Sequence, residues 1–251
     1  ELVWPYLDLD PANPSGVEGI EPGLKRNIRH ENQYGPYPFL CSAHKDNKLY
    51  IFDGQGTIKW EYSCNHPQDV WMLDNGNVLV AWYYAVQEIK PDLASGRGGK
   101  VVWEYKTREP NQIPNCQPLP DGNVLIGIVG ECRLVEVNRN GDIVRELKLE
   151  TKEKKPHAQF RMCRKTPEGT YLVPLTAEGV VREYGADGKI LREFPRKPKP
   201  VCAVRLPDGN TLISAGGSVT EYNQANRLVW ELAAGDIPDI NIGILAGIQR
   251  H

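Results

Sequence analysis

The sequence predicts an all-β protein, a β-propeller built from four-stranded antiparallel blades. Three observations support this fold class. A Pro-Asp-Gly-Asn type of turn recurs along the chain, a Trp-Glu strand motif recurs between these turns, and both return after roughly 40 to 47 residues. Units of this length that hold about four short strands are typical of propeller blades. Five blades are recognisable, and we expect six in the complete protein.

The first repeated element is a tight turn followed by a strand. It reads Leu-Pro-Asp-Gly-Asn at residues 206–210 and has related forms at 74–77, 120–123 and 167–170. Proline fixes φ, aspartate or asparagine bonds the nearby backbone, and glycine supplies the positive φ that such a turn needs. The apolar and β-branched residues that follow are typical of a strand. The alternative fold is a β-sandwich, but a sandwich would not repeat turn and strand together at one period.

The second repeated element is a half-buried strand. Trp-Glu-Tyr occurs at residues 60–62 and 103–105, and Trp-Glu-Leu occurs at 230–232, while arginine replaces tryptophan at 145–147 and 192–194. Alternation places the aromatic or apolar residues on one face and the glutamate on the other, as in a strand with one solvated face. The arginine stem can cover the same apolar surface while its guanidinium reaches water.

Two further strands complete each unit. Asp53-Gly54 and Asn140-Gly141 are hairpin signals that join a third strand to the Trp-Glu strand. Another strand leads into each Pro-Asp-Gly turn, and these strands are predicted at residues 66–73, 116–119, 159–165 and 201–206. In blade one only three strands are visible, and blade two carries an insertion at 91–99. The predicted blades span residues 38–63, 66–106, 113–150, 157–194 and 201–233.

The two ends of the chain differ from these repeats. Residues 1–37 are rich in Pro, Gly and Asp, which predicts an irregular N-terminal extension before a propeller domain at 38–251. Residues 240–250 resemble one more inner strand. This strand could join blade one and close a ring of five blades, or it could begin a sixth blade. We favour the sixth blade, so that the domain as given lacks its last blade.

The composition excludes several classes of protein. The chain has 251 residues, 40% of them hydrophobic and 25% charged, and a net charge of -2. These values are ordinary for a globular domain. The near-neutral charge does not support a nucleic-acid partner, and no apolar run reaches membrane-spanning length. No phosphate-binding glycine loop or hydrolase elbow occurs.

The six cysteines predict buried packing rather than chemistry, because no Cys-x-x-Cys pair occurs. Cys116 and Cys163 occupy a blade position that Val70 and Ala203 fill elsewhere, which is typical of small buried side chains. Cys116 and Cys132 fall in one blade, and in an exported protein they could form a disulfide.

The repeats, together with His-Pro-Gln-Asp-Val-Trp at 66–71 and His-Ala-Gln-Phe-Arg at 157–161, resemble the PQQ-like and arylsulfotransferase-like propeller superfamily. The likeness is greatest to secreted bacterial propellers of unknown function and covers residues 38–250. It implies a secreted or periplasmic location. Quinoproteins of this superfamily carry adjacent cysteines beside the quinone. Because this chain has no Cys-Cys pair, we do not carry PQQ binding over, and no cofactor is predicted.

Ligands of propellers usually meet the loops that enter the inner strands and those that leave the second strands. Histidine there could act as a general base, and arginine suits a planar or tetrahedral anion. Arylsulfotransferases use a catalytic histidine. The resemblance would assign this role to His66 or His157. The candidate catalytic residues are His66, His157 and Arg161, and the candidate ligand-binding residues are Gln68, Asp69, Trp82, Tyr83, Asn115 and Gln159.

Two functions fit these residues. The first is a secreted binding or interaction module for a carbohydrate or protein ligand. The second is an enzyme, sulfotransferase-like or polysaccharide-active, that uses His66, His157 and Arg161 on an anionic substrate. Convergence of these three side chains on one open site would favour the enzyme, whereas bonds to neighbouring backbone would favour the module. His44, His66 and His157 lack close ligand spacing, so no metal site is predicted.

Overall fold

The described chain is an all-β propeller. The computed structural model describes residues 38–195, 197 and 199–233, which form four four-stranded sheets and one three-stranded sheet. Each strand pairs antiparallel with the next strand of its sheet, and the sheets are arranged as the five blades of a propeller. The predicted fold class is therefore confirmed. The predicted extension at 1–37, the strand at 240–250 and a sixth blade lie outside the described residues.

The strands follow the predicted blade boundaries closely. The short helix α1 (Pro156–Gln159) precedes the inner strand of blade four. The strands are β1 (Phe39–Ala43), β2 (Lys48–Phe52) and β3 (Ile58–Ser63) in blade one; β4 (Pro67–Met72), β5 (Val78–Trp82), β6 (Ala85–Pro91) and β7 (Gly99–Lys106) in blade two; β8 (Cys116–Pro118), β9 (Val124–Ile128), β10 (Arg133–Val137) and β11 (Ile143–Lys148) in blade three; β12 (Arg164–Lys165), β13 (Tyr171–Leu175), β14 (Val180–Tyr184) and β15 (Ile190–Glu193) in blade four; and β16 (Pro200–Arg205), β17 (Thr211–Ala215), β18 (Ser218–Tyr222) and β19 (Leu228–Ala233) in blade five.

The turn between the first two strands of a blade has the predicted chemistry. In blade three the Asp121 carboxylate accepts the backbone N–H of Asn123 at 3.1 Å, and Gly122 has a φ of 83°. The Leu119 N–H donates to the Asn123 carbonyl at 2.9 Å and closes the turn. The left-handed φ explains why glycine stands here, since a Cβ would be strained in that conformation.

The hydrophobic core is divided among the contacts between blades. One cluster of buried apolar side chains lies between each pair of successive described blades, from blades one and two to blades four and five. Trp60 and Phe160 are fully buried in two of these clusters. Face-to-face packing of this kind explains the period-two alternation of the strands.

Buried glutamates connect successive blades. The third strand of blades two, three and four carries a buried glutamate, and a cation from the next blade along the chain binds each one. Charges that leave water need such partners. The pairs are Glu88 with Arg139, Glu136 with Lys165, and Glu183 with Arg205.

The insertion in blade two covers the outer edge of blade one. The Glu61 N–H donates to the Gly96 carbonyl at 3.1 Å, and the Gly98 N–H donates to the Glu61 carbonyl at 2.9 Å. The Trp60 indole N–H donates to the Gly98 carbonyl at 2.7 Å. These bonds satisfy backbone groups that an open edge strand would leave exposed to other chains.

One expectation about the cysteines is wrong. Cys116 and Cys132 are both free thiols. Cys116 is fully buried in the cluster between blades two and three, whereas Cys132 packs against the cluster between blades three and four. The sheet of blade three therefore separates them. Cys163 is fully buried, as predicted, and burial raises the pKa of its thiol.

In the part of the chain that the structure describes, no helix has the length and apolar character needed to cross a membrane.

Candidate functional site

Loops of blades one and two bring three rings together at one end of the propeller. His44 follows β1, His66 precedes β4, and Tyr83 follows β5. The His66 and Tyr83 rings are stacked with their centroids 4.7 Å apart and their planes 5° apart, and the centroids of His44 and His66 are 5.0 Å apart. We call these three residues the aromatic group. Parallel and edge contacts at these distances are favourable.

The backbone of His66 is held in an unusual conformation. Its φ is +50°, which is costly for a residue with a Cβ. The His66 N–H donates to Asn47 Oδ1 at 2.8 Å, and the Gln68 amide donates to the His66 carbonyl at 3.1 Å. The same amide nitrogen lies 3.0 Å from His44 Nδ1. Gln68, a predicted ligand-binding residue, therefore positions both histidines of the aromatic group.

Blade four contributes the second part of the site because its inner strand is shorter than the sequence predicts. We expected a strand over residues 159–165, but β12 contains only Arg164 and Lys165. The Pro174 carbonyl in the neighbouring strand accepts the Arg161 N–H at 3.2 Å. Because proline has no N–H, it cannot donate a hydrogen bond in return. Without a complete ladder, the chain before β12 leaves the sheet and forms α1, where Pro156 favours the first helical turn.

This irregular segment places His157 beside Arg161. Arg161 Nη2 donates to His157 Nε2 at 2.5 Å, so the ring proton lies on Nδ1, which donates to Gln112 Oε1 at 3.3 Å. Burial, and then the charges of Arg161 and His44, lower the pKa of His157 below its ordinary value of 6.5. At neutral pH His157 is a neutral imidazole beside a cation.

Arg161 differs from the other buried or half-buried arginines of the described chain. Its guanidinium makes one hydrogen bond there, to His157, and no carboxylate pairs with it. Burial lowers the pKa of its guanidinium. The others each pair with at least one carboxylate, and they are Arg133, Arg164, Arg182, Arg192 and Arg205. An uncompensated charge in a half-buried position is unfavourable until an anion binds.

The two parts of the site are close enough to interact electrostatically. His44 helps to lower the pKa of His157, and Tyr83 opposes the lowering of the pKa of Arg161. The three predicted catalytic residues therefore belong to one cluster, in which His157 and Arg161 are in direct contact and His66 lies against Tyr83. Their catalytic role stays a prediction.

Asp69 lies below this cluster, in the centre of the inner strands. It is buried, and its two carboxylate oxygens accept from Arg164 Nη1 and Nη2 at 2.8 and 3.1 Å. The Cys116 N–H also donates to this carboxylate at 3.1 Å. The Arg164 guanidinium stacks 5.2 Å from the Trp71 ring. Asp69 thus links blades two, three and four, which leaves it unsuited to contact a ligand at the mouth.

The remaining candidate ligand residues are held by bonds between elements. Asn115 is fully buried and donates to the Cys163 carbonyl at 3.3 Å. Gln159 is buried and accepts the Gly130 N–H at 2.9 Å, which ties α1 to blade three. Trp82 is half-buried and donates to Gln87 at 3.1 Å. Asn115 and Gln159 thus bond a neighbouring blade, whereas Trp82 bonds the next strand of its own blade.

Sequence reasoning missed two residues that build the site, His44 and Gln112. His44 follows β1, which takes the place of the second strand in the three-stranded blade one, so the rule that selected Tyr83 after β5 could have selected it. Gln112 orients His157. Glu178 accepts from Thr151 Oγ1 and the Lys152 N–H, both at 2.8 Å, and so fixes the loop that leads to α1. No group of three or more His, Cys, Asp or Glu side chains in the described ranges is arranged to hold a metal ion.

Comparison with solved structures places the chain among known propellers. A protein of unknown function from Bacteroides caccae is 28% identical, with a TM-score of 0.74 over 83% of this chain and 77% of that protein. Streptogramin B lyase is 15% identical, with a TM-score of 0.60 over 82% of this chain and 67% of the lyase.

Virginiamycin B lyase from Staphylococcus aureus is also 15% identical, with a TM-score of 0.56 over 84% of this chain and 74% of the lyase. At this identity the lyases show the fold alone. No protein-family model matches the chain, and no curated protein matches it.

Proposed function

We propose that the protein binds an acidic saccharide at the mouth formed by the aromatic group, His157 and Arg161. The observation that carries this proposal is Arg161, a half-buried cation that lacks a carboxylate partner among the described residues. A guanidinium has five N–H donors in a planar fork that matches a carboxylate or sulfate, and His157 occupies one of them. An anionic ligand can use the four donors that remain and can also take the place of His157 at the fifth.

A saccharide suits the rest of the site. The rings of His44, His66 and Tyr83 lie beside the cation and offer flat surfaces with polar edges. A sugar ring presents one face of C–H groups and a rim of hydroxyls, so it can stack on such rings while it bonds their nitrogen and oxygen atoms. A small number of polar groups among aromatic side chains is the usual composition of a ligand site.

Two further considerations support this proposal. One solved virginiamycin B lyase structure is a catalytically inactive histidine-to-alanine variant with quinupristin, so in that propeller a histidine is needed for activity and the fold holds a ligand. The resemblance to secreted bacterial propellers of the PQQ-like and arylsulfotransferase-like superfamily agrees with a ligand met outside the cytoplasm. Our proposal includes a secreted or periplasmic location.

Titration calorimetry tests this function. We expect oligogalacturonate or a sulfated oligosaccharide to bind, and neutral oligosaccharides of equal length not to bind. Arg161→Gln should weaken binding about 10- to 100-fold, which corresponds to one charged hydrogen-bonded contact. Arg227→Gln, an exposed arginine in the β18–β19 turn, is the matched control and should bind like the wild type. Equal binding by Arg161→Gln and the wild type would overturn the proposal.

A further inference from the structure

We propose that this site also acts chemically on a bound uronic acid, with His157 as the base that removes the proton next to the carboxylate and starts a β-elimination. This inference rests on the proposed function, because it requires that Arg161 bind the carboxylate of the sugar. It names the substrate class as a polymer of uronic acids linked through O4.

The contact between His157 and Arg161 carries the inference. His157 Nε2 lies 2.5 Å from Arg161 Nη2, the atom that would donate to a carboxylate. When a carboxylate takes over this donor, the lone pair of Nε2 becomes free. The carbon that bears the acidic proton is bonded directly to the carboxyl carbon. A base that touches the guanidinium therefore lies beside this carbon, within the reach that proton transfer needs.

The electrostatics of the cluster suit both steps of the reaction. His157 is neutral at pH 7, since burial and the charges of Arg161 and His44 lower its pKa, so it can accept a proton. Negative charge then develops on the carboxylate oxygens as the proton leaves. The Arg161 guanidinium is already fixed next to these oxygens and stabilises that charge without reorganising.

The elimination balances without a co-reactant. Nε2 of His157 takes the proton from C5, and the electrons of the C5–H bond form the double bond between C4 and C5. The C4–O bond breaks, and its electron pair stays on the glycosidic oxygen. The Tyr83 hydroxyl donates its proton to this oxygen, and the proton on His157 returns to Tyr83 through water. Tyr83 is assigned this part because its ring stacks on His66 within the same cluster.

The experiment incubates the protein with polygalacturonate, alginate, chondroitin and hyaluronate. An unsaturated uronate absorbs in the ultraviolet, and we expect this absorbance to grow with at least one polymer. His157→Gln keeps an oxygen that can accept from Arg161 but has no base, so kcat should fall by about 10²- to 10⁴-fold while KM is unchanged. Tyr83→Phe should lower kcat, and Arg227→Gln should leave it unchanged.

A second readout separates proton removal from elimination. A methyl uronoside with a free O4 hydroxyl has a poor leaving group, so the wild type in D₂O should place deuterium at C5 without elimination, and His157→Gln should not. If a uronate binds but shows neither deuterium exchange nor an unsaturated product, this inference is wrong and the proposed binding function stands. If no uronate binds, this inference is wrong, and the proposed binding function then stands only if a sulfated oligosaccharide binds. Activity retained in His157→Gln would overturn the assignment of the base.

Discussion

Arg161 and Arg164 belong to the same segment of blade four, yet they have opposite surroundings. Arg164 is buried, and Asp69 binds it through two hydrogen bonds. Burial alone would lower the pKa of Arg164, but the Asp69 carboxylate raises it. Arg161 is half-buried without a carboxylate partner in the described chain, and burial lowers its pKa.

The difference separates a charge that stabilises the fold from a charge that is available to a ligand. Asp69 neutralises the charge of Arg164 from blade two, so the pair joins blades that are distant in sequence. Arg161 lies on the segment that precedes β12, outside the sheet, and its guanidinium donates to His157. Substitutions at the two positions should therefore affect different measurements.

The largest effect should follow from Arg164→Met. This change leaves the Asp69 carboxylate buried without its cation, and we expect the free energy of unfolding to fall by about 3–5 kcal/mol. Urea denaturation followed by fluorescence measures it. Adding Asp69→Leu to Arg164→Met removes the orphaned charge and should recover part of the loss. If Arg164→Met alone costs less than about 1 kcal/mol, the pair does not stabilise the centre as described.

A smaller loss should follow from Gly127→Ala, which tests how tightly the centre beside Arg164 is packed. A Cβ at Gly127 would lie 2.4 Å from Asn115 Oδ1 and 2.8 Å from the Phe160 ring. Overpacking of this kind costs about 1–3 kcal/mol. The Asn115→Ala substitution removes the nearest of these contacts. In that background Gly127→Ala should therefore lower the free energy of unfolding by less. Equal costs in both backgrounds would contradict the packing described.

Arg161→Gln should barely change stability, in contrast to Arg164→Met. The guanidinium has no carboxylate partner to lose within the described residues, so we expect the free energy of unfolding to stay within about 0.5 kcal/mol of the wild type. Urea denaturation of both variants under one set of conditions makes the comparison direct. A loss as large as that of Arg164→Met would show that Arg161 serves the fold.

The smallest effect should be a dependence of stability on pH from His157. Its pKa is lower in the folded protein than the ordinary 6.5, so the unfolded chain binds more protons between the two values. Stability should therefore fall as the pH drops from 6.5 toward the lowered pKa, and His157→Gln should remove this part of the slope. The effect is small because solvent screens an exposed ring. A slope that persists in His157→Gln would assign it to other groups.

The repeated parts of the molecule could be predicted from the sequence because their causes are local. The Gly122 turn and the Trp60 strand each carry their own signals within a few residues, and the structure has both where the sequence predicts them. The order of the blades alone was enough to predict the loops that hold His66, Tyr83 and His157. Blade boundaries and the position of the mouth were therefore within reach of sequence reasoning.

What could not be predicted depends on residues far apart in the chain. Asp69 was expected to contact a ligand at the mouth. Its partner Arg164 lies 95 residues away along the sequence, and no local sequence pattern predicts that the two form a buried pair. The inner strand of blade four was expected to be longer. Its interruption is caused by Pro174, whose missing N–H matters only once the two strands are paired.

The bonds between successive blades give the propeller a direction. Blades three and four each carry a buried glutamate that the following blade neutralises and a cation that neutralises the glutamate of the blade before, as blade four does with Glu183 and Lys165. A gene segment that encodes one such blade therefore encodes both the buried glutamate and the cation that these contacts need. When such a segment is duplicated or deleted, each new junction again brings a cation to a glutamate. Propellers of this construction can gain or lose whole blades during evolution without leaving a buried charge unpaired.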